Sequence, residues 1–177
     1  MKKIREYNQS SFLCYLYICI CILSYFIKKE TKIIYDLLTL TGTLSSICIL
    51  QDFKRLLNKK LNCKNFNIYI YFFIFIKSLF LIGDLFFYKE FIFFINENHI
   101  YIYIVLGVIQ SIYSIQLIRK DFVKIRLIRT YGVINLLSGT FIIIQGITMY
   151  QILLSIISTY IMADIFFQSE DIRERKN

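Results

Sequence analysis

Six apolar runs divide this chain, and charge is confined almost wholly to the gaps between them. They cover residues 11–27, 33–51, 68–87, 100–118, 131–144 and 152–168. A helix of about 20 residues crosses the roughly 30 Å hydrocarbon core of a bilayer, so these runs read as membrane spans. Six of them take up roughly two thirds of the length and leave room for connections only, which makes residues 1–177 one polytopic domain. With 57% hydrophobic residues and a mean hydropathy of +0.58, the chain has too little polar sequence to cover a soluble globule. The expected fold is an all-α integral membrane protein, six transmembrane helices arranged as three side-by-side helical hairpins.

Two of these spans need separate arguments. The first follows Lys2, Lys3 and Arg5 and so resembles a signal peptide, but it is long for one and lacks a small-residue exit, so an uncleaved span is expected. From Tyr131 to Gln168 there is no charge before Asp164, and that stretch is too long for one crossing. The polar cluster Gln145-Gly146-Ile147-Thr148 through Gln151 is where it should fold back.

Sixteen of the 21 Lys and Arg residues fall at the N-terminus, in 54–64, in 119–129 and at the C-terminus, all on one side of a six-span layout. Short basic segments resist translocation, which predicts cytoplasmic termini in a bacterial inner membrane. Segment 52–67 alternates basic residues with Phe53, Leu56, Leu57 and Leu61, as expected of a short helix lying on an anionic leaflet. Lipid is therefore the expected partner of the basic loops, rather than nucleic acid, with room for a second copy or a membrane partner. Segment 88–99 reads as an outer loop dipping into the interface through Phe91 to Ile95. Pro is absent and Gly numbers six, so regular helices are expected rather than the broken helices of many transporters.

The even-numbered spans share a pattern. Gly42, Ser46 and Gln51 match Gly107, Ser111 and Gln116, and then Thr159, Ala163 and Gln168, each a small-x-x-x-small pair followed five residues on by Gln. Small residues one turn apart let helices approach closely in lipid. The segment Tyr131-Gly-Val-Ile-Asn-Leu-Leu-Ser-Gly-Thr-Phe-Ile-Ile-Ile-Gln-Gly resembles the start of a hairpin in the HdeD-like acid-resistance membrane proteins. Gly107-Val-Ile-Gln-Ser with its basic exit Arg119-Lys120 looks like that family's second helix. The chain departs from the family where Ser46, Ser111 and Ala163 replace a later glycine, and in lacking the Pro between hairpin helices. The resemblance implies a non-enzymatic inner-membrane protein of acid or envelope stress.

Ionisable groups inside spans are costly and are functional candidates by default. Lys77, Asp36 and Asp84 form such a set, read either as a titratable cluster or as a register-fixing ion pair with two carboxylates reaching outer water. Asp164 is expected to reach inner water or Arg173, and His99 sits at the outer mouth of the fourth span. The cysteines Cys14, Cys19, Cys21, Cys48 and Cys63 contain no C-x-x-C pair, so neither a disulfide framework nor a zinc site is expected. There is no G-x-x-x-x-G-K loop and no His–Cys or carboxylate constellation, so neither an enzyme nor a cofactor is expected. Two further classes stay open: a small transport component, such as the substrate-binding subunit of an importer, and an immunity-type protein. A transport role predicts a polar cavity reached from outside, whereas protection by packing predicts a tight bundle.

Overall fold

A computed structural model of the chain describes residues 6–27, 32–120, 125–144 and 148–174. The regular elements among them are helices: α1 (Glu6–Phe26), α2 (Lys32–Lys60), α3 (Asn67–Phe86), α4 (Tyr88–Arg119), α5 (Leu127–Ile144) and α6 (Thr148–Glu174), with one 3-10 turn at Lys64–Phe66. With no Pro to remove a donor, each helix satisfies its own backbone, as a lipid-embedded segment must. The breaks are local. Asn62 adopts φ 52°, a conformation Asn tolerates, and the N–H of Cys63 reaches back to the carbonyl of Leu57 at 2.9 Å. Between α3 and α4 only Phe87 leaves helical geometry, at φ −127° and ψ 36°.

Five of these helices carry apolar stretches long enough to cross a membrane: Ile33–Lys60, Lys64–Gly83, Glu97–Arg119, Leu127–Ile144 and Tyr150–Ser169. In α1 the apolar stretch Gln9–Ser24 is shorter. Large apolar side chains such as Phe12, Ile33, Ile68, Phe75, Val105 and Leu153 are exposed on the outside of the bundle. An apolar surface of that extent is compatible with a multi-pass membrane protein.

Each helix packs on its neighbours in chain order, and α1 packs on α6. The six therefore close into a ring. Pairs of contacts fix the alternating directions. On α4 and α5, Gly107 meets Gly139 while Ser114 meets Gly132. Ser10 donates to Asp52 at 2.7 Å near one end of the α1–α2 pair, and Gly42 meets Ile20 further along it. The closest crossing in the ring is α4 on α5, and the loosest is α3 on α4. The tightest crossing thus falls between the second and third of the expected hairpins, while α1–α2 and α5–α6 also pack within their own.

Two segments differ from their expected form. Residues 52–60 do not lie on a leaflet as a separate helix: α2 runs unbroken to Lys60, with Phe53, Leu56 and Leu57 fully buried. Where water is the alternative, each such burial stabilises by about 1.5–3 kcal/mol, and packing inside the bundle adds dispersion contacts that a headgroup layer cannot. Nor is 88–99 a loop, because α4 begins at Tyr88.

The apolar core is gathered at the basic end of the ring. Phe53, Leu56, Phe66, Ile70, Leu117, Ile128, Ile165 and Phe166 form one cluster there with Cys14 and Cys63. Polar contacts close over it. Arg55 pairs with Asp52 at 3.0 Å, Lys60 donates to the carbonyl of Ser169, and Lys54 donates to the Tyr71 hydroxyl at 2.9 Å.

Candidate functional site

Away from that plug the ring does not fill its own centre. A cavity of about 330 Å³ lies inside it, and every helix contributes to the wall. On α5 the lining residues are Tyr131, Asn135, Ser138 and Ile142, spaced four, three and four apart. On α6 they are Gln151, Ser155, Ser158, Thr159 and Met162. Both sets are single stripes of a 3.6-residue helix, so each helix turns one mostly polar face to the centre. From the other helices come Tyr17 of α1, Ser46, Ile49 and Leu50 of α2, Phe73 and Lys77 of α3, and Gln110 and Tyr113 of α4.

The α4–α5 wall is positioned by glycine. A Cβ on Gly107 would lie 2.5 Å from Ile143 Cγ1 and 2.6 Å from the Gly139 carbonyl oxygen, so no side chain fits there. Gly139 and Gly132 both turn to α4, and Asn135, between them in sequence, turns to the cavity edge. Its amide donates to Ser158 Oγ at 3.1 Å, and Gln110 Nε2 donates to the Asn135 carbonyl at 3.2 Å. One polar chain thereby ties α4, α5 and α6 together. Buried amides need such partners, and these have them.

Two lining groups stand outside that chain. Among the described residues, Lys77 is the one charged residue lining the cavity, and it forms no ion pair with any of them. Tyr113 is 3% exposed, packs edge-on against Phe73 at 5.7 Å and Phe66 at 6.0 Å, and its hydroxyl has no hydrogen-bond partner among the described residues. Below, Phe53 meets Tyr131 edge-on at 5.4 Å, so aromatic rings form the floor and the apolar plug lies beneath them.

A second hollow of about 700 Å³ shares Tyr17, Gln151 and Ser155 with the cavity. It runs between α1, α2 and α6 past Cys21, Ser24 and Thr39 to Ile27 and Tyr35, at the end of the ring opposite the basic one. The cavity therefore has the plug beneath it on one side and adjoins a groove on the other, with three wall residues in common.

Of the intramembrane set predicted from sequence, Lys77 lines the cavity. Asp36 is half-buried on α2, lines neither hollow and does not pair with Lys77, while the side chain of Asp84 lies outside the described residues. The repeat residues occupy unlike places. Gly42 faces α1 but Gly107 faces α5. Ser46 and Thr159 line the cavity, whereas Ala163 is buried and its carbonyl accepts from Ser11 at 3.1 Å. Gln116 donates to the Tyr69 hydroxyl at 2.7 Å, while Gln51 and Gln168 are exposed. His99 stacks edge-on with Tyr103 at 6.3 Å. Asp164 is half-buried, and the side chain of Arg173 lies outside the described residues. The stripes on α5 and α6 were legible as polar residues at helical spacing in otherwise apolar runs. Attention to charge and to small-residue pairs passes over them.

No protein-family model, curated protein or solved structure matches the chain.

Proposed function

We propose that this is a small-molecule-binding membrane protein, with the central cavity as its ligand site and the α1–α2–α6 groove as the way in. The observation that carries this reading is a 330 Å³ cavity walled by all six helices, apolar over most of its surface, in which 11 of the 17 lining residues add a hydroxyl, amide or phenol group. Small-ligand sites begin at about 300 Å³ and use a few placed polar groups for orientation. A bundle acting by packing alone, as in the stress-protection role that the HdeD-like resemblance implies, has no use for such a lining.

With the basic end cytoplasmic, as the distribution of Lys and Arg favours, the plug faces the cytoplasm and the groove opens outside. This suits capture of a solute from the external side. The chain carries no G-x-x-x-x-G-K phosphate loop of its own, so the role it fits is the substrate-binding membrane subunit of an importer, with energy supplied by a partner. Anionic lipid at the basic loops is part of the same reading.

Full-length protein in lipid nanodiscs, screened by thermal shift against small polar solutes, tests this. Wild type should be stabilised by at least one compound, and Ser158→Phe, which fills the cavity, should abolish that response. A response that survives in Ser158→Phe, or none in wild type across acids, amides, amines and sugars, overturns the reading.

A further inference from the structure

The charge inside the cavity narrows what it can hold. Lys77 brings a positive charge to a site where, among the described residues, no acidic side chain lines the wall. A second unused group is the Tyr113 hydroxyl, buried and without a hydrogen-bond partner among the described residues. The neighbouring amides are already engaged, since Asn135 and Gln110 are bonded to Ser158 and to each other's helix. The wall therefore offers one cation and an unpartnered phenol, with the Gln151 amide beside them, against rings contributed by Tyr17, Phe73 and Tyr131.

From this juxtaposition we infer that the cavity selects small monocarboxylates, the carboxylate held by Lys77 and a second polar atom by Tyr113; the inference rests on the ligand-site reading above. A carboxylate neutralises one ammonium and accepts several hydrogen bonds from it. A phosphate monoester, carrying nearly two negative charges, would leave net charge uncompensated in a low-dielectric site. An amine would place like charge beside Lys77. A neutral amide would leave the ammonium without a counter-charge. The aromatic rings suit an unsaturated or planar body, which packs flat at little entropic cost.

The probes are matched pairs: benzoate with benzamide, nicotinate with nicotinamide, and hexanoate with hexanamide, together with benzylamine and phenyl phosphate. Full-length protein in nanodiscs is titrated with each by calorimetry and thermal shift. At least one carboxylate should bind, its amide at least tenfold more weakly, with benzylamine and phenyl phosphate weaker still. Lys77→Met should lose the preference of acid over amide while leaving amide binding in place, and Tyr113→Phe should weaken the acid several-fold without removing the preference. The comparison in wild type needs no variant to fold. Equal or better binding of amides, amines or the phosphate ester overturns the carboxylate assignment alone, as does an acid preference that survives in Lys77→Met. Failure of every probe, with other polar solutes still binding, has the same meaning. Failure of all solutes removes the ligand site as well.

Discussion

The two ends of the ring are built on opposite principles from the same six helices. At the basic end, Phe53, Leu56, Leu57, Leu117, Ile165 and Phe166 interdigitate with no exposure above a trace, and polar caps close over them. At the other end the faces turned inward are Ser138, Gln151, Ser155 and Lys77, which line space instead of filling it. Close-packed interiors are felt by every methylene removed, whereas groups that line a cavity have few neighbours to lose. The difference assigns stability to one end and specificity to the other. It also accounts for the run of α2 on to Lys60, since Phe53, Leu56 and Leu57 on that stretch supply part of the plug.

The largest effect should come from the plug. Phe53→Ala and Phe166→Ala each delete a fully buried ring, and such deletions cost about 3–5 kcal/mol in well-packed cores. Denaturant-induced unfolding in mixed micelles should show that loss. Phe53→Ala also takes away the floor beneath Tyr131. If both variants unfold as wild type does, the basic end is not the stabilising half and the comparison collapses.

Next comes the seam that shapes the cavity wall. In Gly107→Val the added carbons would meet the backbone oxygen of Gly139, and backbone gives way less easily than a flexible side chain. The expected loss is about 1–3 kcal/mol. By contrast Gly42→Ala should cost less, because its nearest neighbour is the single side-chain atom Ile20 Cγ2 at 3.1 Å. The pair sharpens the comparison within the even helices, which the sequence pattern treats as equivalent. Equal losses at the two glycines would restore the three-fold reading.

A smaller effect is expected at Asn135. Asn135→Leu removes the donor to Ser158 and one polar member of the wall. Side-chain hydrogen bonds between membrane helices are worth about 0.6 kcal/mol on average, so the variant should unfold within about 1 kcal/mol of wild type. Ligand binding should suffer far more than stability. The reverse order would make the polar chain a structural tie and no part of a site.

What sequence made legible follows the same division. Helices and their approximate bounds follow from apolar length, because hydrocarbon thickness fixes how long a span must be. The reach of α2 to Lys60 was hidden, since a basic segment with Phe53, Leu56 and Leu57 on one face satisfies a lipid surface and a protein interior equally well. The cavity was hidden for a different reason. Tyr131, Asn135 and Ser138 lie on one stripe by helical geometry alone, but their meeting with Ser158 and Gln110 depends on the ring's closure of α1 on α6 and on the α4–α5 seam. The cost of a lysine in a span singles out Lys77, and it lines the cavity among hydroxyls and phenols that carry no such signal in the sequence.

The last measurement perturbs nothing, since the chain carries its own reporters. Cys21 lines the groove at the open end, Cys14 and Cys63 are buried in the plug, and Cys19 and Cys48 are exposed on the outside of the bundle. A charged, membrane-impermeant methanethiosulfonate cannot partition into hydrocarbon, so in nanodiscs lipid should shield Cys19 and Cys48. It reaches a thiol only through water, and reaction requires access as well as ionisation. Peptide mapping by mass spectrometry should therefore find Cys21 modified first, with Cys14 and Cys63 untouched until the bundle unfolds. A carboxylate bound in the cavity should slow the modification of Cys21, because cavity and groove share Tyr17, Gln151 and Ser155. Modification of Cys63 as fast as Cys21 would mean that the basic end admits water, and the hollow would then be a passage open at both ends rather than a cup closed at one.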